Sequence, residues 1–280
     1  MTNEQNTNQE FIEMFERFKN PEMQSIYGVV NSIAGFDLSA SDKQSFLYFH
    51  NYLTNPQPEF INNWRADPKQ EKWYLKFANG VLGDVQGSLA CVLYHHGRLK
   101  NIESTIIESI EKYNYREVLG NGCMALGNTR IWDFEYQAFI LAYRRCLDYL
   151  AKSLTAYFKN DFHSFRTLND FLEKHSSNEV ATSLIPIHAK YCPLFKFVLS
   201  EGNRKSVRDK ISHYEYVPAG CINLSSRGFM FVGGGENLGF GPNSNAFNLS
   251  DILDNHVVNL KNCIREMIYQ YVDSIRKVQK

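Results

Sequence analysis

The sequence predicts an all-α fold: a helical bundle interrupted by one short β-hairpin ahead of the last helix. Three stretches carry that expectation. "WDFEYQAFILAYRRCLDYLAKSLTAYF" (132–158) is almost continuously apolar and reads as a long helix deep in a bundle. "LSDILDNHVVNLKNCIREMIYQYVDSIRKV" (249–278) places Ile252, Leu253, Val257, Leu260, Ile264, Ile268, Tyr271 and Ile275 at helical spacing. Between them, "CINLS" and "RGFMFVG" are two short runs suited to a hairpin.

The other elements follow in order. Phe11, Ile12, Phe15 and Phe18 have helical spacing up to Asn20-Pro21, which reads as a stop. A second helix is expected over Glu22 to Ala34, and a third after the "SASD" cap at 39–42. "TNPQPEF" is a proline-marked loop. Lys72 to Tyr94 reads as helix, with Gly80, Gly83 and Gly87 spaced as they would be where another backbone packs closely. Residues 102–118 give a further helix, and "GNGCMALGN" a glycine-rich connection that ends this half. Helices near 162–174 and 178–200 follow the long one, the latter with a kink or break expected at Pro186 and Pro193. A helix from about Gly202 must end before Pro218. "GGGENLG" (233–239) lacks the G-K-S/T of a phosphate loop and reads as the exit of the hairpin. The last helix begins with Ser250 or Asp251 as cap. The chain divides into an N-terminal helical region, 1–125, and a helical bundle, 126–280.

Thirty basic and thirty acidic residues cancel, so no global field draws in nucleic acid or an anionic membrane, and any polyanion site must be local. There is no apolar signal core and no apolar run of membrane-spanning length, which points to the cytoplasm and to no membrane partner. The six cysteines are scattered without a C-x-x-C pair and are expected to be reduced and mostly buried. No metal or cofactor is expected from their spacing. Adjacent histidines on a helix point about 100° apart, so His95 and His96 read as a helix terminus. His163, His175, His188 and His256 stand alone and read as structural.

"NRKSVRDKISHYEY" is the stretch with chemistry. Between Lys196 and Lys210 five basic residues face two acidic ones in a chain of zero net charge. Arginine offers a planar fork of donors to phosphate oxygens, and histidine exchanges protons near neutrality. Together they suffice for metal-free RNA cleavage, in which histidine handles the proton and arginine the charge building at phosphorus. Asp209 and His213, at i and i+4, share a helix face, so Asp209 is placed to orient the imidazole. Arg208 and His213 diverge by about 140°, so one helix does not aim both at one atom. A symmetric dimer supplies both groups to one groove. The competing reading makes Asp209 and His213 a structural pair at a helix end.

A long apolar helix with a tyrosine-rich face, followed by a helix bearing Arg208, Asp209 and His213, resembles the HEPN superfamily (higher eukaryotes and prokaryotes nucleotide-binding domains) over about residues 130–278. The resemblance implies a dimeric helical bundle whose motif helices face each other. It implies a metal-independent ribonuclease, in some members paired with a cognate antitoxin, or else a non-catalytic module binding a nucleotide or a partner. On that basis Arg208, His213 and Asp209 are the candidate catalytic residues, and Arg204, Lys205 and Tyr214 candidate substrate contacts. The hairpin and glycine-rich loop depart from the family pattern.

Overall fold

The computed structural model describes residues 19–199, 205–226, 228–232 and 248–279. They fall into two units, one ending at Ser39 and one running from Ala40 to Lys280. In the first, α1 (Pro21–Ala34) opens where the Asn20 side chain accepts the Glu22 N–H at 2.9 Å, with Pro21 in the first turn. Proline suits that position because its missing N–H would have no helical partner. The expected helix around Phe11–Phe18 and the "GGGENLG" loop lie outside the described residues.

The second unit is mostly helical. It begins with α2 (Ala40–Thr54), α3 (Glu59–Ala66) and α4 (Glu71–Asn79). A π-helical turn, Gly80–Val85, then leads straight into α5 (Gln86–Ile110). The interruption expected between Tyr94 and residue 102 is therefore absent, and the His95-His96 pair lies inside a helix rather than at its end. Of the three glycines in this stretch only Gly80 has a close neighbour: a Cβ there would come within 2.5 Å of Ser153 Oγ. Gly83 and Gly87 have nothing within 4 Å of such an atom.

After α6 (Tyr115–Leu119) the glycine-rich connection holds a strand, β1 (Cys123–Leu126), that the sequence did not reveal. Next comes α7 (Arg130–Thr155), continued by a 3₁₀ turn to Phe158. The helix expected near 162 starts only at Leu168, as α8 (Leu168–Lys174), because local side chains take the intervening amides: Phe162 N–H donates to Asn160 and Phe165 N–H to Asp148. α9 (Glu179–Tyr191) runs through Pro186, and the chain tightens into a 3₁₀ turn only at Cys192–Phe195, where Pro193 lies. There follow α10 (Val207–His213), the hairpin β2 (Cys221–Ser225) and β3 (Gly228–Val232), and α11 (Leu249–Val278). β1 pairs antiparallel with β2, Met124 facing Leu224, so the expected hairpin becomes a three-stranded sheet in the order β1-β2-β3.

α5 lies along α7, and α11 packs on α9, α2 and α5. Tyr136, Phe139 and Tyr143 of α7 are fully buried, as is Tyr271 of α11. The tyrosine hydroxyls need acceptors in a dry core. Tyr143 donates to His256 O at 2.8 Å and Tyr271 to Leu154 O at 3.0 Å. The start of α11 is not capped by Ser250 or Asp251. Asn248 precedes it, and the buried carboxylate of Glu103, from α5, accepts the Ser250 N–H at 3.2 Å, the Ser250 hydroxyl and the Trp132 indole N–H at 2.9 Å. A negative group at a helix N-terminus meets both the orphan amides and the helix dipole.

All six cysteines are free, but only Cys146 and Cys263 are buried. Cys123 and Cys221 are exposed on β1 and β2, so the expectation of mostly buried thiols does not hold. Among the described residues no helix is long and apolar enough to cross a membrane.

Candidate functional site

The motif helix α10 has seven residues, too few to persist unaided. Its first turn is fixed by a capping box: Ser206 Oγ accepts the Asp209 N–H, and the Asp209 carboxylate accepts from the Ser206 amide and, at 2.9 Å, its hydroxyl. The Val207 amide, another orphan donor, reaches Phe197 O at 3.0 Å. Beyond α10 the chain is latched to α7. Asp133 accepts from the Tyr216 hydroxyl and the Ala219 amide, both at 2.8 Å, and Gln137 Nε2 donates to Val217 O. α10 is thereby tied to Phe197 at its start and, beyond its end, to α7.

This anchoring separates the residues that the motif groups. The Asp209 carboxylate is engaged by Ser206 and by Arg208 Nη1, at 3.0 Å, which gives it a capping task in place of the expected orientation of His213. His213 is exposed at the helix end. Its ring meets the Tyr214 ring edge-on at 6.0 Å, and among the described residues it has no hydrogen bond. Lys205 Nζ lies over the exposed Tyr214 ring, 3.1 Å from its centroid. Arg204 lies outside the described residues.

Arg208 points elsewhere. It lines a cleft of about 560 Å³ whose other walls come from α5 and α7. Ala138, Ala142, Arg145 and Tyr149 recur every three or four residues along one face of α7, and the two alanines leave the space that forms the floor. Arg144, Arg145 and Arg208 all line the cleft. Arg144 Nε donates to Asp148 at 2.7 Å and its Nη1 to Val198 O. Arg145 is exposed, and its Nη2 donates to Cys91 Sγ at 3.6 Å. Among the described residues it has no carboxylate partner. His95, on the same wall as Cys91, holds Glu135 Oε2 through Nδ1 at 2.7 Å, and Arg98 Nε reaches the other oxygen of Glu135 at 3.4 Å.

No family model, curated protein or solved structure matches this chain.

Sequence reasoning found Arg208 but missed Arg144, Arg145, Cys91 and His95. The signal present was the Arg-Arg pair inside an otherwise apolar helix, since two adjacent charges there mark a face that leaves the core. The pairing of His95 with Glu135 spans 40 residues and two helices, beyond any local pattern. Among the described residues no group of three or more His, Cys, Asp or Glu is placed to hold a metal ion. What the cleft offers is one arginine, Arg145, without a carboxylate partner among the described residues, two more whose charges are met by Asp148 and Asp209, and the ring of Tyr149.

Proposed function

We propose that this chain binds a phosphate-bearing ligand, RNA or a nucleotide, in the cleft between α5, α7 and α10. Arg145 carries the reading: its guanidinium is exposed, is free of carboxylates among the described residues and shares one cleft with Arg144 and Arg208. The planar guanidinium fork matches two phosphate oxygens at once, and a cleft of this size suits a single ligand group. With zero net charge the affinity must come from these few contacts, so its salt dependence is that of a small number of released counterions. Fluorescence anisotropy with a labelled RNA oligonucleotide at low salt, competed by ATP, tests the idea. Replacing Arg145 by alanine weakens binding about ten- to a hundredfold, the loss expected for a charge-assisted hydrogen bond. Absence of saturable binding, or equal binding by Arg145→Ala, rejects the proposal.

A second reading is metal-independent RNA cleavage at a homodimer interface, by 2′-hydroxyl attack, with His213 as acid or base and Arg208 steadying the phosphate. The exposure of His213 on the helix that bears Arg208 favours it. A cytoplasmic setting and a cognate antitoxin belong to the same reading. It requires a solution mass near twice 32.4 kDa by light scattering. It also requires chelator-resistant formation of 2′,3′-cyclic phosphate ends that His213→Ala abolishes. A strict monomer at micromolar concentration removes the shared site.

A further inference from the structure

Cys91 and His95 stand one helical turn apart on α5 and line the same cleft. The Cys91 sulfur accepts a hydrogen bond from Arg145 Nη2 at 3.6 Å. Glu135 Oε2 fixes His95 through Nδ1 at 2.7 Å, which leaves Nε2 without a hydrogen-bond partner among the described residues. A thiol, an imidazole with one ring nitrogen free and a carboxylate on the other nitrogen are the groups that activate a nucleophile. Here Cys91 and His95 share a helix face and a cleft without a hydrogen bond between them, so the His95 ring must turn toward the sulfur for the step.

We propose that Cys91 is a nucleophilic thiol acting on small electrophiles that carry an anionic group, with His95 as its base, Glu135 as the positioning residue and Arg145 holding the anion. The proposal rests on the reading of the cleft as an anion site. In the bond-forming step the thiol proton passes to His95 Nε2 and the sulfur lone pair forms a bond to the electrophilic carbon. The leaving group departs as an anion with the electron pair of its broken bond, and His95 then gives its proton to water. Four of the other five thiols lack this setting. Burial pushes Cys146 up to about 12 and Cys263 well above the ordinary thiol value, so neither supplies thiolate near neutral pH. Cys123 and Cys221 are exposed on strands and serve as internal references.

The experiment alkylates the full chain near neutral pH with iodoacetate and, separately, with iodoacetamide, and reads each cysteine by peptide mass mapping. Carbon–iodine cleavage releases iodide in both cases, and only the first reagent carries a carboxylate. Cys91 is expected to react at least about tenfold faster than Cys123 and Cys221, a modest part of what a positioned base contributes. It should also prefer iodoacetate, which the strand cysteines do not. His95→Ala, with His95→Gln as the milder variant should alanine disturb the helix, removes the rate advantage. Arg145→Gln removes the preference. Cys91 reacting no faster than the strand cysteines, or keeping its rate in both His95 variants, overturns the nucleophile, and a surviving preference for iodoacetate then leaves the anion cleft standing. A His95-dependent rate without preference for iodoacetate overturns the anion cleft and the substrate class with it.

Discussion

Glu103 shows how one residue fixes the placement of two helices. Its carboxylate joins the Trp132 indole of α7 to the first turn of α11, and burial pushes its pKa up although hydrogen bonds from Ser250 and Trp132 pull it down. Glu103→Ala leaves those donors buried and unpaired, so a loss of about 2–4 kcal/mol in denaturant unfolding is expected. His256 acts at the same scale through pH. Its ring lies tilted against Phe197 with centroids 4.0 Å apart, its Nδ1 has no hydrogen-bond partner among the described residues, and burial lowers its pKa from 6.5 to about 4. The unfolded chain then binds the proton more readily than the folded one. This stabilisation is complete above pH 6.5 and is lost as pH falls toward 4, by up to about 3 kcal/mol. His96 and His188, also lowered by burial, add the same sign. His256→Phe should reduce the slope of stability against pH in that window by about one proton. An unchanged slope would assign the acid lability elsewhere.

Among the elements, α10 depends most on a single cap. Ser206→Ala removes the capping box, at a cost of about 1 kcal/mol concentrated on a seven-residue helix. Arg208 should then lose its position, so RNA binding weakens although no charge has been deleted. Binding equal to the parent chain would show that α10 is held by its latch to Asp133 and Gln137 alone. Filling the floor is the complementary test on α7. Ala138→Phe places a ring among the arginines and should block ligand while changing stability by less than about 1 kcal/mol, because Ala138 is only half-buried. Elements were legible in the sequence where one face carries the whole burial signal. α11 spans the expected 249–278, and α7 begins within two residues of the expected start. α5 was misdivided because its middle, around His95 and Gly97, carries polar residues and glycine that in isolation resemble an end. There the polar groups find partners on other helices: Glu135 for His95, and Ser250 O for His96 at 3.1 Å. β1 escaped notice because four residues flanked by glycines carry no alternation strong enough to announce a strand.

At the scale of the whole molecule, α5 against α7 and β1 against β2 tie residues on either side of position 125 into one unit. A fragment beginning at 126 would expose the α5-facing side of α7 and leave β2 unpaired on one edge. It should therefore lack a cooperative thermal transition by circular dichroism, whereas a sharp transition would establish 126–280 as an independent domain. The strand register carries a further consequence for the chain as it is made. Cys123 must wait for Ser225, roughly 100 residues later, and translation at 5–20 residues per second sets a delay of roughly 5–20 s. Throughout that interval β1 is an unsatisfied edge beside its own flanking helices, and the long loop must close before pairing returns any stabilisation. The small sheet is then among the last parts of the molecule to form. Its completion joins the stretch before α7 to the stretch after α10, two parts of the chain that cannot be tied before β2 has been made.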